Sequence, residues 1–369
     1  LTLHKGLCKI EQTIVLFDPE SGMSARKAKP PVTLKAIARQ LQVSESTVSR
    51  VLSGNGKKYR ISAKTEKAVL ELARKWRFVP NPLAQGLRLN RTQTIGLIIP
   101  DISNPFFARV ARQIEVEARQ AGFSIILCDS EEDTSLEIKS LELLEARKVD
   151  GFLIAPVGET TDHLQEYARR DWPMVIVDRY LPEIKLPYVS SDNFKGTYQA
   201  VKYLLERGHR RIACVQGRTA SLPNRERVRG YRQALQEYQV AIDESLLVGN
   251  DFGLENGYIK TKLLLRQEKK FTAIMALSNL ICLGTIRALT EEGMEIPRDI
   301  SLIGFDDQVY CEYLRTPVTT VAQNEKEIGS IATKLLIEWI QQGEKPGSEG
   351  LMIPTRLVER ASVQSVNPV

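Results

Sequence analysis

From Ile95 onward the chain alternates short apolar runs with amphipathic stretches, and this alternation restricts it to one broad architecture. The runs are IGLIIP (95–100), SIILCD (124–129), GFLIAP (151–156), MVIVDR (174–179), RIACVQG (211–217), AIMALS (273–278) and ISLIGFDD (300–307). Continuous apolar runs of this length fit strands covered on both faces, as in a parallel sheet. Between them the helical period returns, for example at Phe107, Val110, Ala111 and Ile114. The pattern predicts parallel α/β sheets, and the segment is long for one sheet, so two lobes are expected. In open α/β sheets ligands bind beyond the carboxyl ends of the strands, which makes the polar residues there the candidates for a site.

The region before Ile95 reads differently. From Val32 to Trp76 the period is purely helical. Leu34, Ile37, Ala38 and Leu41 form one apolar stripe that Thr33 can cap. After Gln42-Val43, Ser44 can cap a second helix to about Leu52 with Val48 and Val51 inward; Ser62 can cap a third, with Val69, Leu72, Ala73 and Trp76 inward. Two short helices separated by a tight turn have helix-turn-helix spacing. Asn81 and Pro82 then suit the start of a short helix, Leu83–Leu89, before a polar linker.

Charge separates the same two regions. Residues 23–92 hold 16 Lys and Arg against 3 Asp and Glu, whereas residues 93–369 hold 33 against 39. A basic head on an acidic body is the footprint of a nucleic-acid binder, although a solvated basic surface has the same composition. The five cysteines are scattered without a CxxC pair, so neither a zinc ribbon nor a metal site is expected. With no secretory signal or membrane-length apolar run, the chain is expected in a reducing cytoplasm, away from membranes. No GxGxxG, GxxxxGKT, GxSxG or HExxH motif is present, so no catalytic residues and no cofactor are expected. Asp306-Asp307 is a poor shared acid pair, since neighbours on a strand point to opposite faces.

The runs VTLKAIARQLQVSESTVSRVLSG (32–54), ISAKTEKAVLELARKWRFVPNPLAQGLR (61–88), TIGLIIPDISNPFF (94–107), DNFKGTYQAVKYLLERGHRRIACVQG (192–217), RVRGYRQAL (227–235), ISLIGFDD (300–307) and TTVAQ (319–323) together resemble the lac/galactose repressor family of bacterial transcriptional regulators. The resemblance implies a small all-α helix-turn-helix head and a two-lobed α/β body, with parallel sheets, like the periplasmic binding proteins. It implies a homodimer or tetramer that reads a pseudo-palindromic double-stranded DNA operator, since two equivalent heads need two equivalent half-sites. A small-molecule effector, expected to be a sugar, would lie between the lobes and control operator affinity, most simply for repression. The expected organisation is a poorly ordered leader (1–30), a helix-turn-helix domain (31–80), a hinge helix and linker (81–93), one lobe from 94–193 with 323–352, and a second from 194–322 with 353–369. A stand-alone sugar-binding protein without DNA function is the rival reading; the basic head argues against it.

By the same resemblance the second helix enters the major groove. Glu45 and Ser46 would then face base edges. Thr33, Ser44, Thr47 and Ser49 offer hydroxyls to phosphates or bases, and Arg50 has the fork suited to guanine. Glu45 also suits the helix dipole without touching DNA. Gln42 stands where the family turn usually has glycine, so either the turn differs or Gln42 is strained. Lys57, Lys58 and Arg60, in a loop longer than in the lac repressor, are phosphate-contact candidates. Asn81 can cap the hinge helix, and Leu87 would wedge into the minor groove once that helix folds on DNA. In the body the matching effector positions are Phe106, Phe107, Arg227, Phe252, Asn279, Asp306 and Gln323: polar groups for hydroxyls, and aromatics for the apolar faces of a ring. Phe107 also suits a core position, Asp192 and Asn193 suit a role in lobe structure, and Leu280 stands where the family usually has Asp.

Overall fold

A computed structural model describes residues 32–78, 91–158, 162–267 and 270–366. The expected leader and the hinge helix, with Asn81 and Leu87, lie outside the described residues. The chain divides into two compact units, one ending at Asn81 and one beginning at Pro82.

The first unit holds three helices, α1 (Leu34–Leu41), α2 (Glu45–Leu52) and α3 (Ala63–Lys75). Each starts where its capping residue predicts. The side chains of Thr33, Ser44 and Ser62 accept from the backbone N–H of Ala36, Thr47 and Thr65, satisfying donors that have no partner inside the helix. Ile37, Ala38, Val48, Val51, Val69 and Ala73 form the core between them. The turn from α1 to α2 passes through Gln42 at φ 53°, ψ 40°. The left-handed turn is therefore kept without glycine, and Gln42 carries the strain, about 1–2 kcal/mol for an L-residue with a side chain.

The second unit winds the same pattern twice. The first winding runs β1 (Thr94–Ile99), α4 (Pro105–Gln120), β2 (Ser124–Asp129), α5 (Thr134–Ala146), β3 (Gly151–Ile154), α6 (Asp162–Arg169), β4 (Met174–Val177) and β5 (Tyr188–Ser191). The second runs α7 (Asn193–Glu206), β6 (Ile212–Val215), α8 (Leu222–Glu237), β7 (Leu247–Val248), α9 (Leu254–Leu265), β8 (Ala273–Ala276), α10 (Asn279–Glu291), β9 (Ser301–Phe305) and β10 (Thr319–Ala322). The chain then returns through α11 (Glu325–Gln342) to β11 (Leu351–Ile353), and ends on β12 (Arg356–Val358). The sheets have strand orders β11-β5-β4-β3-β1-β2 and β12-β10-β9-β8-β6-β7. All pairings are parallel except β10 with β12.

Burial on both faces explains the unbroken apolar runs. In β1, Ile95, Leu97 and Ile99 join one core while Ile98 points through the sheet into another. In β8, Ala273 and Met275 lie on one side and Ile274 and Ala276 on the other. Strands β5, β7, β11 and β12 have no comparable apolar run in the sequence. They are two to four residues long, and β7, β11 and β12 are only partly buried. Gly230 brings α8 close to α7: a Cβ there would sit 2.3 Å from the Phe194 carbonyl oxygen. That close approach carries Arg227, one turn earlier on α8, to the start of α7.

Candidate functional site

On α2, Glu45, Ser46 and Arg50 are exposed and Ser49 is half-buried, opposite the buried Val48 and Val51. The helix thus presents a polar face to solvent and an apolar face to its core. The Ser44 hydroxyl serves as a cap and lies 2.7 Å from Ser46 Oγ and 2.8 Å from Thr47 Oγ1, so the three hydroxyls form one chain at the start of α2. Thr33 is an exposed cap on α1. Lys57, Lys58 and Arg60 are exposed in the loop after α2, with Arg60 at φ 54°. The Arg50 guanidinium lies 4.0 Å from the centroid of the Tyr59 ring.

In the body, strand order reverses beside β1 and again beside β6, and loops from these two places face each other across a cleft. Residues after β1 (Asn104, Phe106, Phe107), after β6 (Ser221, Arg227), and after β4, β9 and β10 (Asp178, Asp306, Gln323) line one small cavity of ≈ 30 Å³. Phe252 and Ser278 complete its wall. Asn279 lies just behind it, donating through Nδ2 to Asn104 Oδ1 at 3.1 Å and through its backbone N–H to Asp306 Oδ2 at 3.4 Å. All seven residues expected around an effector are therefore gathered in one place. Phe107 is both core and wall, 4 % exposed.

The polar groups here are held firmly, yet some remain unsatisfied. Arg227 donates through Nε to Asn193 Oδ1 and through a terminal nitrogen to the Leu277 carbonyl, both at 2.7 Å, and lies 3.6 Å from the centroid of Phe305. Burial lowers its pKa, and Asp306 and Asp178 counter that by their charge. Asn193 thus orients Arg227, while Asp192 caps α7. Gln323 donates through Nε2 to Asp306, leaving its own Oε1 buried without a partner. Asp178 Oδ1 is likewise buried and unpartnered, and desolvation pushes the Asp178 carboxyl up to about 6. Asp306 and Asp307 do diverge, but both lie just past the end of β9 and Asp306 takes a left-handed φ of 70°, so a turn and not strand alternation separates them. Asp307 turns away to Arg360 at 2.7 Å and Thr320 at 2.6 Å.

Arg179 occupies the cleft itself. Its guanidinium lies 5.5 Å from the Phe107 ring centroid and 5.6 Å from that of Phe252, and both its terminal nitrogens bind the Glu132 carboxylate. Glu131 and Glu132 adopt left-handed φ values of 49° and 57° to place that carboxylate. Outside Arg179 the cleft widens into a cavity of ≈ 440 Å³ that shares Arg179 and Ser221 with the inner one. The inner cavity has room for about one water. A molecule larger than a water fits the inner cavity only if Arg179 is displaced or the lobes part.

Asn104, Asp178, Arg179, Ser221 and Ser278 are cavity residues that sequence reasoning passed over. Each follows a strand end, and Asp178-Arg179 closes the run MVIVDR, so position relative to the strand was the available signal. Among the described residues no cluster of His, Cys, Asp or Glu can hold a metal ion, and no helix is long and apolar enough to cross a membrane.

Residues 33–81 match the family model of bacterial regulatory proteins, lacI family, and residues 92–361 match that of periplasmic binding proteins and the sugar binding domain of the LacI family. The chain is 35% identical over 338 residues to the HTH-type transcriptional regulator DegA of Bacillus subtilis, covering 91% of this chain and 99% of that protein. It is 32% identical over 344 residues to the transcriptional repressor CytR of Escherichia coli, covering 93% and 100%. Among solved structures it is similar to the lac repressor dimer bound to operator and the anti-inducer ONPF (TM-score 0.81, 25% identity, 90% and 99% of the two chains). It is also similar to a LacI family regulator of Enterococcus faecium with bound ribose (TM-score 0.67, 34% identity, 74% and 100%). The helix-turn-helix head, the twice-wound body with its polar cleft and these matches along nearly the whole chain together make this protein a member of the lacI family of bacterial transcriptional regulators.

Proposed function

We propose that the chain is a dimeric, sequence-specific DNA-binding repressor whose operator affinity is set by a sugar bound in the cleft. The observation that carries this reading is the pair of buried acceptors left without donors, Asp178 Oδ1 and Gln323 Oε1, facing a cavity walled by Phe106, Phe107 and Phe252. Buried polar atoms are normally satisfied, and an unpaired one costs about 1–3 kcal/mol. A ligand rich in hydroxyl donors with an apolar ring face supplies what these atoms lack. Arg227, Ser221 and Asp306 complete the set, with Arg227 and Ser221 as donors. Catalysis plays no part in this function, because the cleft binds its ligand as a signal. Glu45, Ser46 and Arg50 read base edges. Ser44, Thr47, Ser49, Thr33, Lys57, Lys58 and Arg60 hold the backbone, and the hinge with Asn81 and Leu87 folds and wedges on DNA. Sugar binding changes the spacing of the two lobes, and with it the spacing of the paired heads.

Selection of random duplex DNA by the purified protein tests this reading, with affinities measured across a salt series and with a panel of neutral sugars. A two-fold symmetric motif bound with a steep salt slope, and released or strengthened by one sugar, is the expected result. Sugar binding with no enriched DNA motif would instead favour a stand-alone sensor.

A further inference from the structure

Arg50 is exposed on the outward face of α2, and among the described residues no carboxylate pairs with it. What it touches instead is the face of Tyr59, itself 47 % exposed. The loop that carries Tyr59 is built back onto α2. The Asn55 N–H donates to the carbonyl of Arg50 itself at 2.9 Å, and the Tyr59 N–H donates to the Asn55 carbonyl at 3.3 Å. The Ile61 N–H donates to the Gly56 carbonyl at 3.0 Å. Gly56 is buried against α3: a Cβ there would meet the Glu66 carboxylate at 3.0–3.4 Å. An exposed tyrosine is thus placed under an arginine by a hydrogen-bonded loop.

A guanidinium stacked on a ring uses its face and leaves its edge free. All five N–H donors of the fork lie in that edge, and bidentate contact with guanine O6 and N7 uses two of them. A carboxylate partner would have consumed the same donors. The ring also removes rotamer freedom from a long side chain before DNA arrives, which lowers the entropy lost on binding. We propose that Tyr59 is a positioning residue for operator reading: its ring holds the Arg50 fork ready for one guanine in each half-site and so sets specificity there. The proposal rests on the reading of α2 as the helix that meets base edges.

The test uses the full chain and compares, for every base at every operator position, the wild type with Arg50→Ala, Tyr59→Leu, Tyr59→Phe and Tyr59→Trp. Arg50→Ala is expected to lose at least about fivefold discrimination at one position per half-site. Tyr59→Leu is expected to lose about two- to fivefold at that same position, with other positions and the salt slope unchanged. Tyr59→Phe retains discrimination and Tyr59→Trp retains or raises it, which also shows that the loop tolerates replacement of the tyrosine. If Arg50→Ala acts and Tyr59→Leu does not, or if Tyr59→Leu weakens all positions evenly, the positioning role is overturned while base reading by Arg50 stands. If Tyr59→Phe or Tyr59→Trp loses as much as Tyr59→Leu, ring stacking is not the cause and the proposal is equally overturned. If Arg50→Ala leaves every position unchanged, Arg50 reads no base and both ideas fall.

Discussion

Asp178 and Asp306 occupy the same place in two copies of one winding. Each follows the fourth strand of its sheet in winding order, and each takes a left-handed φ, 65° and 70°. Each donates its backbone N–H to the neighbouring strand, Asp178 to Val189 and Asp306 to Val321. Both are 4 % exposed, and both line the cavity. Two lobes facing each other therefore bring two carboxylates to one cavity, from opposite sides.

The titration of Asp178 is expected to make effector binding depend on pH. Desolvation raises Asp178 to about 6, well above the usual carboxylate range. As a hydroxyl acceptor it works ionised, so effector affinity is expected to fall as pH drops through about 6. Stability moves the opposite way. The folded state holds the proton more tightly than the unfolded, so the cost of the buried charge is absent below about pH 4 and complete above about pH 6, a difference of roughly 3 kcal/mol at most. Calorimetric titration of the sugar from pH 5 to 8, for wild type and Asp178→Asn, tests the affinity trend, and urea denaturation of the same two proteins from pH 4 to 7 tests the stability trend. An equal pH dependence in the two proteins would remove Asp178 from the linkage.

Arg227 is held by its fork and by the ring of Phe305, so its proposed role in effector binding does not rest on charge alone. Arg227→Lys keeps the charge and is nonetheless expected to weaken effector binding about tenfold or more, since lysine cannot reproduce both 2.7 Å bonds and the stack. The operator complex formed without effector should be little changed. Full sugar response in Arg227→Lys would place the ligand elsewhere.

Glu132→Gln should destabilise the body by about 3 kcal/mol, because it leaves the buried Arg179 guanidinium without its counter-charge. Urea denaturation measures the loss. Combining it with Arg179→Met should restore most of that stability. A single variant as stable as the wild type would show that water already shares the pair.

Gln42→Gly should stabilise the head by about 1 kcal/mol, since glycine adopts φ 53° without the strain a Cβ brings. Slower hydrogen exchange of the α1 and α2 amides would report it, and faster exchange would show that the Gln42 side chain makes up for its backbone.

The sequence was informative wherever one physical preference dominated. The three capping hydroxyls mark the starts of α1, α2 and α3, because nothing else satisfies those N–H groups. The two-sided burial of β1 or β8 leaves only one reading of its apolar run. Strand β11 was not legible, being three residues long with Leu351 and Met352 exposed. Within the cavity, Asp306 was visible through a motif of the family. Its counterpart Asp178 required seeing that the body is one winding repeated. The place of Arg179 near both Phe107 and Phe252 depends on two rings that approach it only after the lobes are assembled.

The chain passes from one sheet to the other three times: at Asp192, at Gln323–Asn324, and at Pro354–Thr355. The passages lie side by side. Asp192 donates its N–H to Ile353, and the Thr355 hydroxyl donates back to the carbonyl of Asp192. Three strands of covalent chain gathered at one place form an axle, which permits rotation and resists sliding. Gln323 belongs both to that axle and to the cavity wall. An occupant pressing on Gln323 is therefore expected to push at a short radius, with the lobes, as lever arms, converting that push into a larger displacement at their outer rims.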